Sequence, residues 1–332
     1  MASVCCLEGT CLVKIVVLDG RALEPELQNW SPIASAIPES TFEWHPTTAP
    51  EDVVARSADA EILVINKIKL GAAEFAKLPN LKLIAVSATG YDVVDLKAAA
   101  ASGVTVCNVP VYSTQSVAQH VFACLLQVIH RPFEHDQAIR EGAWQAAGQF
   151  TFWLSPLNEL VGKTMGIVGF GRIGQATAKL AMAFGMNLKI ASRTKKEVPG
   201  FESAQWCEIE ELFATSDVVS LHCPQTETNR GFVNREMLSR MKRTAILVNT
   251  ARGGLIKESD LADCLNEEML AAACLDVAMT EPIDENNPLL SAKNCLLTPH
   301  IAWTTVEARS RLIDLVAENI RGFVSGVPIN TL

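Results

Sequence analysis

The stretch that most constrains what this chain can fold into is Thr164–Gly174, TMGIVGFGRIG. A short apolar run, Met165–Val168, leads into Gly169, Gly171 and Gly174. Ile173, Thr177, Leu180 and Phe184 then recur at helical spacing until Gly185 supplies a stop. The pattern predicts a buried strand, a tight turn and a helix. In that context Gly169 permits the turn, Gly171 lets the main chain approach a pyrophosphate, and Gly174 lets helix and strand pack closely, with the helix N-terminus facing the phosphates. Glycines at this spacing alone make only a turn; the flanking strand and helix convert them into a dinucleotide-binding expectation.

The next strand, Leu188–Ala191, ends where a NAD-specific fold places an acidic residue for the ribose 2′-hydroxyl. This chain has Ser192 there, followed by Arg193, Thr194, Lys195 and Lys196. Hydroxyls and cations suit a 2′-phosphate that a carboxylate would repel. NADP(H) is therefore the preferred cofactor on this reading, with NAD(H) kept open by the alternative of a solvated basic turn.

A length of 332 residues and 49% hydrophobic content suffice for two packed domains. The net charge of −9 argues against nucleic acid and against an anionic membrane surface as partners. No apolar run reaches the roughly 20 residues of a membrane span. The start, MASVCCLEGTC, lacks a basic n-region and a sustained apolar core, so a cytoplasmic protein is expected. The ten cysteines show no framework spacing and no CxxC or Cys/His set. They read as free thiols in a reducing compartment, and no metal site is expected.

From the N-terminus, Leu12–Leu18, Phe42–His45, Ile62–Ile65, Leu81–Val86 and Val104–Cys107 read as strands, with short helices at Pro50–Ser57, Gly71–Leu78 and Asp95–Ser102. This is a small α/β domain with a parallel sheet. Its loop Ser87–Tyr91 leaves the carboxyl end of a strand, where open α/β sheets bind ligands, and reads either as a cradle for a substrate carboxylate or as a plain turn. Ser113–His130 is a long helix expected to cross between domains, with Val117, Val121, Cys124, Leu125 and Val128 buried. An irregular apolar stretch follows, with Trp144, Phe150, Phe152 and Trp153, as a subunit contact or as core cover.

Beyond the glycine unit, helices at Glu208–Phe213, Arg235–Met241 and Glu258–Leu265 alternate with strands at Val218–Cys223, Ala245–Val248, Ala271–Leu275 and Cys295–Leu297. That alternation predicts a second, larger, doubly wound domain. The last helix opens with a capping box, Thr304 to Glu307, with Leu312, Leu315, Ile320 and Phe323 apolar, and returns to the first domain across a cleft.

Three strands of the second domain end in polar residues foreign to a core: Arg252, Asp276 and His300, with Glu281 five residues past Asp276. Reducing a 2-keto acid needs a cation to bind the carboxylate and polarise the carbonyl, and a proton donor for the developing alkoxide. Arg252 suits the first role through its rigid fork and His300 the second, with Glu281 favouring the imidazolium and orienting the ring. Asp276 reads as an acceptor for the nicotinamide amide. Each also has an ordinary reading as an ion pair, cap or loop residue. His45, His120, His130, His135 and His222 read as structural, without an acidic partner at motif spacing.

With these residues in view, the chain resembles the D-isomer-specific 2-hydroxyacid dehydrogenases over nearly its whole length. VGFGRIG at 168–174, VNTARGGLI at 248–256, LDVAMTEP at 275–282 and LLTPHIAW at 296–303 carry the likeness. The HIAW run and the SRTKK loop are most like the glycerate dehydrogenase branch, also called hydroxypyruvate or glyoxylate reductases. The resemblance implies an α/β fold of two doubly wound parallel-sheet domains, with a Rossmann-type dinucleotide-binding domain inserted in a flavodoxin-like substrate domain. Residues 1–110 would begin the substrate domain and 300–332 complete it. Residues 111–299 would bind the dinucleotide, with a dimerisation arm at 131–160.

The same resemblance implies Arg252, Glu281 and His300 as catalytic residues. Cofactor contacts are implied at Gly169, Gly171, Arg172, Ile173, Gly174, Ser192, Arg193, Thr194, Cys223, Pro224, Thr250, Ala251 and Asp276. Substrate contacts are implied at Lys67, Thr89, Gly90, Arg252 and Trp303, although Lys67 also reads as a surface lysine. The activity implied is NAD(P)H-dependent reduction of hydroxypyruvate or glyoxylate by a homodimer. The alternatives are a dehydrogenase for bulkier 2-keto acids and a non-catalytic, dinucleotide-sensing interaction protein on the same fold.

Overall fold

The computed structural model describes residues 13–23, 29–195 and 198–332. The N-terminal stretch read for targeting, with Cys5, Cys6, Cys11 and Leu12, lies outside the described residues, as does Lys196 of the basic loop. The chain divides into two compact units, one formed by Met1–Ser113 with Thr304–Leu332 and the other by Thr114–Trp303.

The first unit holds a five-stranded parallel sheet of β1 (Lys14–Val17), β2 (Thr41–Trp44), β3 (Ile62–Ile65), β4 (Leu83–Val86) and β5 (Thr105–Cys107), in the order β2-β1-β3-β4-β5. Val16, Leu63, Ile65, Ile84 and Val86 face one side, where Val53, Phe75 and Ala99 of the short helices cover them. The helix Val306–Val324 packs on β4 and on the helix Ser31–Ala34, burying Leu312, Ile313, Val316 and Ile320. Its cap is Thr305, whose side chain accepts the N–H of Ala308. The N-cap thus falls one residue later than expected, and because Ala308 rather than Glu307 takes the third helical position, a single Thr305 cap stands in place of the expected Thr304–Glu307 box.

The second unit holds seven parallel strands: β6 (Thr164–Val168), β7 (Asn187–Ala191), β8 (Gln205–Trp206), β9 (Val218–Leu221), β10 (Ile246–Asn249), β11 (Ala272–Leu275) and β12 (Cys295–Leu297). Their order is β12-β11-β10-β9-β6-β7-β8. The two-residue β8 escaped sequence analysis because it is too short to show alternation.

The sheet is covered on both faces, and the alternation along each strand divides the core accordingly. Ile246 and Val248 pack with Phe122, Leu125, Ala178 and Ala181, whereas Leu247 packs with Leu212, Phe213, Leu238 and Leu261. At about 25 cal/mol per Å² of apolar area, fully burying each such side chain contributes about 1.5–3 kcal/mol.

The helix Arg172–Ala183 buries its small residues most deeply. Gly174, Ala176, Thr177, Ala178 and Ala181 are buried, while Phe184 is 38% exposed and stacks on Phe122 at 5.0 Å. The cause is close approach: a Cβ on Gly174 would stand 2.2 Å from the carbonyl oxygen of Gly169, so only small residues fit against the sheet. The stretch 131–160 also proved more regular than expected. It carries two helices, Pro132–Arg140 and Ala143–Ala147, broken by left-handed Gly142 and Gly148.

Candidate active site

The chain reverses its direction of winding between β6 and β9, and in open α/β sheets ligands bind outside the carboxyl ends at such a point. The glycine turn lies there. Gly169 has φ +94°, and a Cβ on it would stand 2.7 Å from the main-chain nitrogen of Cys223, so the turn is pressed against the segment leaving β9. A Cβ on Gly171 would meet nothing within 4 Å. Gly171 caps the 12-residue helix and leaves its first N–H groups open to an anion. The Oγ1 of Thr250 is a second feature that fits a bound dinucleotide: it is buried and has no hydrogen-bond partner among the described residues.

His222 and Cys223 flank the same turn. Desolvation lowers the His222 imidazole to about 4, so it is neutral at physiological pH, and its Nε2 lies 2.9 Å from Ser220 Oγ. Burial also raises the Cys223 thiol, which makes it a poor nucleophile at neutral pH. Ser192, Arg193, Thr194 and Lys195 follow β7 as an exposed loop.

Arg252 sits two residues beyond Thr250 at the carboxyl end of β10, on a turn that Asn249 clamps. The fully buried Asn249 side chain accepts the N–H of Ala251 at 3.0 Å and donates to the carbonyl of Arg252 at 2.9 Å. The guanidinium is exposed, with Nη1 donating to Ala251 O at 2.7 Å. Gly253 then lies flat against the segment after β11, where a Cβ would fall 1.9 Å from the carbonyl carbon of Ala278. That segment carries Glu281. One of its oxygens, Oε1, accepts the N–H of Ala278 at 3.1 Å, and Oε2 lies 2.7 Å from His300 Nδ1. The arginine turn and the acid–imidazole pair are therefore carried on abutting loops.

His300 has φ +56°, a left-handed conformation uncommon outside glycine. Asp276, only 2% exposed, holds the chain on its far side: Oδ1 accepts the N–H of Ile301 and Oδ2 that of Ala302, both at 2.8 Å. Thr298 Oγ1 donates to Oδ1 at 2.6 Å, so both carboxylate oxygens serve the protein itself. His120 Nε2 stands 3.5 Å from Asp276 Oδ1. β11 and the long helix thus bring together two groups far apart in sequence, a partner that motif spacing does not show. His45 likewise has an acid, Glu43, at 2.9 Å on the same strand face.

In the first unit, Lys67 is exposed on a loop whose backbone is fixed by Asp19. That carboxylate, at the end of β1, accepts the N–H groups of Asn66, Lys67 and Ile68 at 2.7, 2.5 and 3.2 Å. Desolvation nonetheless raises its carboxyl above the ordinary value. The buried Asn66 side chain donates to Ser87 O, and Asn108 donates to Thr89 O, so the loop bearing Thr89 and Gly90 is tied down as well. Trp303 is partly buried at the end of the second unit.

Sequence comparison matches residues 122–302 to the model of the D-isomer specific 2-hydroxyacid dehydrogenase NAD binding domain. A hydroxypyruvate reductase from Blautia hydrogenotrophica is 43% identical over 96% of this chain and 99% of its own. The chain belongs to the D-isomer-specific 2-hydroxyacid dehydrogenase family. A glycerate dehydrogenase from Methylorubrum extorquens is 36% identical over 96% of this chain and 98% of its own. Among solved structures, an acyclic imino acid reductase in complex with NADPH and D-Arg superposes with a TM-score of 0.83, at 30% identity over 96% of this chain and all of its own. This dehydrogenase is accordingly a nicotinamide-dinucleotide-dependent oxidoreductase, and its dinucleotide-binding unit is the Rossmann-type sheet of β6–β12. Among the described residues no helix is long and apolar enough to cross a membrane.

Sequence reasoning missed Asn249, Asp19, Thr298 and His120. Asn249 carried a local signal, a buried-type strand ending in a polar residue within the VNTARGG run. Asp19, Thr298 and His120 act through contacts distant in sequence, and a single sequence shows none of them.

Proposed function

We propose that this dehydrogenase reduces hydroxypyruvate to D-glycerate and glyoxylate to glycolate, using NADP(H) in preference to NAD(H). The observation that carries the reading is the Glu281–His300 pair at 2.7 Å, on a loop abutting the Arg252 turn. Glu281 takes the proton-bearing Nδ1, which leaves Nε2 of His300 to carry the transferable proton. Arg252 binds the substrate carboxylate and polarises the carbonyl. The reduced nicotinamide, when bound, supplies the hydride that C2 of the keto acid accepts. His300 gives its proton to the carbonyl oxygen as that bond forms, and solvent returns the proton after the hydroxy acid leaves.

Lys67 and the backbone of Thr89 and Gly90 are assigned to the substrate, and the tying of both loops by Asp19, Asn66 and Asn108 supports that role. Ser192 with exposed Arg193 and Lys195 supports 2′-phosphate recognition. The 131–160 stretch is assigned to a homodimer interface, supported by Phe150 at 87% and Trp153 at 66% exposure. Sedimentation of the purified protein tests it. The free thiols, several buried, support a cytoplasmic setting.

Initial rates with hydroxypyruvate, glyoxylate, pyruvate and phenylpyruvate, each with NADPH and NADH, test the activity. Fast turnover of the first two with NADPH supports the proposal. A preference for phenylpyruvate keeps the mechanism and replaces the substrate, and cofactor binding without turnover points to a sensor.

A further inference from the structure

The long helix Thr114–His130 presents Ser116, His120 and Cys124 at four-residue spacing on one face, and two of the three reach the segment that carries His300. Ser116 Oγ donates to the carbonyl of Ala302 at 2.5 Å. His120 Nε2 lies 3.1 Å from Thr298 Oγ1. The hydroxyl proton of Thr298 is already committed to Asp276 Oδ1, to which Thr298 donates. The Thr298 oxygen must therefore accept, and His120 must donate from Nε2–H. That requirement fixes the state of the ring nitrogen, which also lies 3.3 Å from Cys124 Sγ.

The result is a continuous chain of hydrogen bonds that brackets His300. Before it, Thr298 is held by His120 and Asp276; after it, Ile301 and Ala302 are held by Asp276 and Ser116. Between these fixed points His300 keeps its left-handed backbone and its 2.7 Å contact with Glu281. The His120 and Asp276 side chains are only 16% and 1% exposed, so water has little access to replace a lost bond. His120 thus donates to a hydroxyl that is itself bonded to Asp276.

We infer that His120 is a positioning residue for His300: through Thr298 and Asp276 it holds the main chain on both sides of the proton donor. The inference rests on the assignment of His300 as proton donor made above. Its consequence is a loss in turnover without a matching loss in binding, since neither the glycine turn nor the Arg252 turn is part of the chain of bonds.

The test is steady-state reduction of hydroxypyruvate with NADPH by His120→Leu, His120→Gln, Thr298→Val and His300→Ala, with NADPH binding followed by fluorescence. Both His120→Leu and Thr298→Val should lower kcat at least about tenfold, with KM for hydroxypyruvate and Kd for NADPH within about twofold of wild type. His120→Gln keeps an N–H donor and should recover most of the rate. A folded His120→Leu with near wild-type kcat, or a His120→Gln as impaired as His120→Leu, overturns the inference. Thr298→Val, nearly isosteric, decides the matter if His120→Leu does not fold. Undiminished turnover by His300→Ala sinks the proton-donor assignment itself, whereas its loss alongside an unimpaired Thr298→Val removes only the positioning role.

Discussion

Replacing Gly253 by Ala tests whether the loops that carry Arg252 and Glu281 must touch. The added Cβ would fall 1.9 Å from Ala278 C, 2.0 Å from Ala278 O and 2.5 Å from Met279 N. Ordinary contact begins near 3.4 Å, so the loops must separate by roughly 1.5 Å, and the obstructing atoms are backbone that cannot swing aside. Overpacking of this kind costs about 1–3 kcal/mol of stability. Its effect on chemistry should be larger, because a displacement near 1 Å between reacting groups lowers rates by about 10²-fold. Gly253→Ala should therefore lower kcat/KM for the preferred keto acid about a hundredfold, with a fall in Tm of a few degrees. Gly171→Ala is the matched control, since its Cβ meets nothing within 4 Å: Tm should hold while cofactor affinity drops. Parallel initial-rate and thermal-denaturation measurements decide. A folded Gly253→Ala with kcat/KM within threefold of wild type would refute the claim that loop contact sets the site's geometry.

Other substitutions separate the roles within the site. His300→Ala should lower kcat by about 10²–10⁴, the usual contribution of a general acid, with little change in KM, whereas Arg252→Ala should raise KM and lower kcat together. Wild-type kinetics in either variant removes its assigned role. Ser192→Asp should move preference from NADPH toward NADH, read as the ratio of kcat/KM values; an unchanged ratio refutes the basic-loop argument. For pH, the folded state holds the His222 imidazole down to about 4, below its unfolded value of 6.5. Between those values the unfolded chain binds a proton that the native one refuses, so native stability falls as pH drops from about 6.5 to 4, by at most about 3 kcal/mol. Thermal melts at pH 7.5 and pH 5 should show a smaller acid-induced drop in His222→Asn than in wild type, and equal drops dispose of the linkage.

The strands were legible because both sheets are parallel and covered on both faces, which turns each strand into an apolar run; Ile62–Ile65 and Cys295–Leu297 match to the residue. The loops that the structure brings together were legible where motif and strand end coincide, as at Arg252, Glu281 and His300. The helix after the glycine turn was legible in its periodicity but not in its depth of burial, since Thr177 is buried while Ile173 and Leu180 are only partly so. The close approach of Gly174 to Gly169 O selects small residues. The Thr304 cap was misplaced by one residue, since two adjacent threonines offer the same side chain and only backbone geometry distinguishes them.

The anchoring of loops by carboxylates, which no motif spacing shows, follows one physical logic in both units. Asp19 follows β1 and takes three main-chain N–H groups from the loop of Lys67; Asp276 follows β11 and takes two from the loop of His300. A loop at the end of a parallel strand has no ladder to fix its N–H groups, yet a substrate site needs its side chains placed to a fraction of an ångström. A shielded carboxylate answers both needs, because charge-assisted bonds are about twice as strong as neutral ones and several donors share one acceptor. The desolvation that raises Asp19 is the cost of that arrangement. The rigidity of each loop therefore comes from a carboxylate whose partners are main-chain N–H groups distant in sequence, a role that sequence spacing does not record even where, as at Asp276, the residue itself lies in a motif.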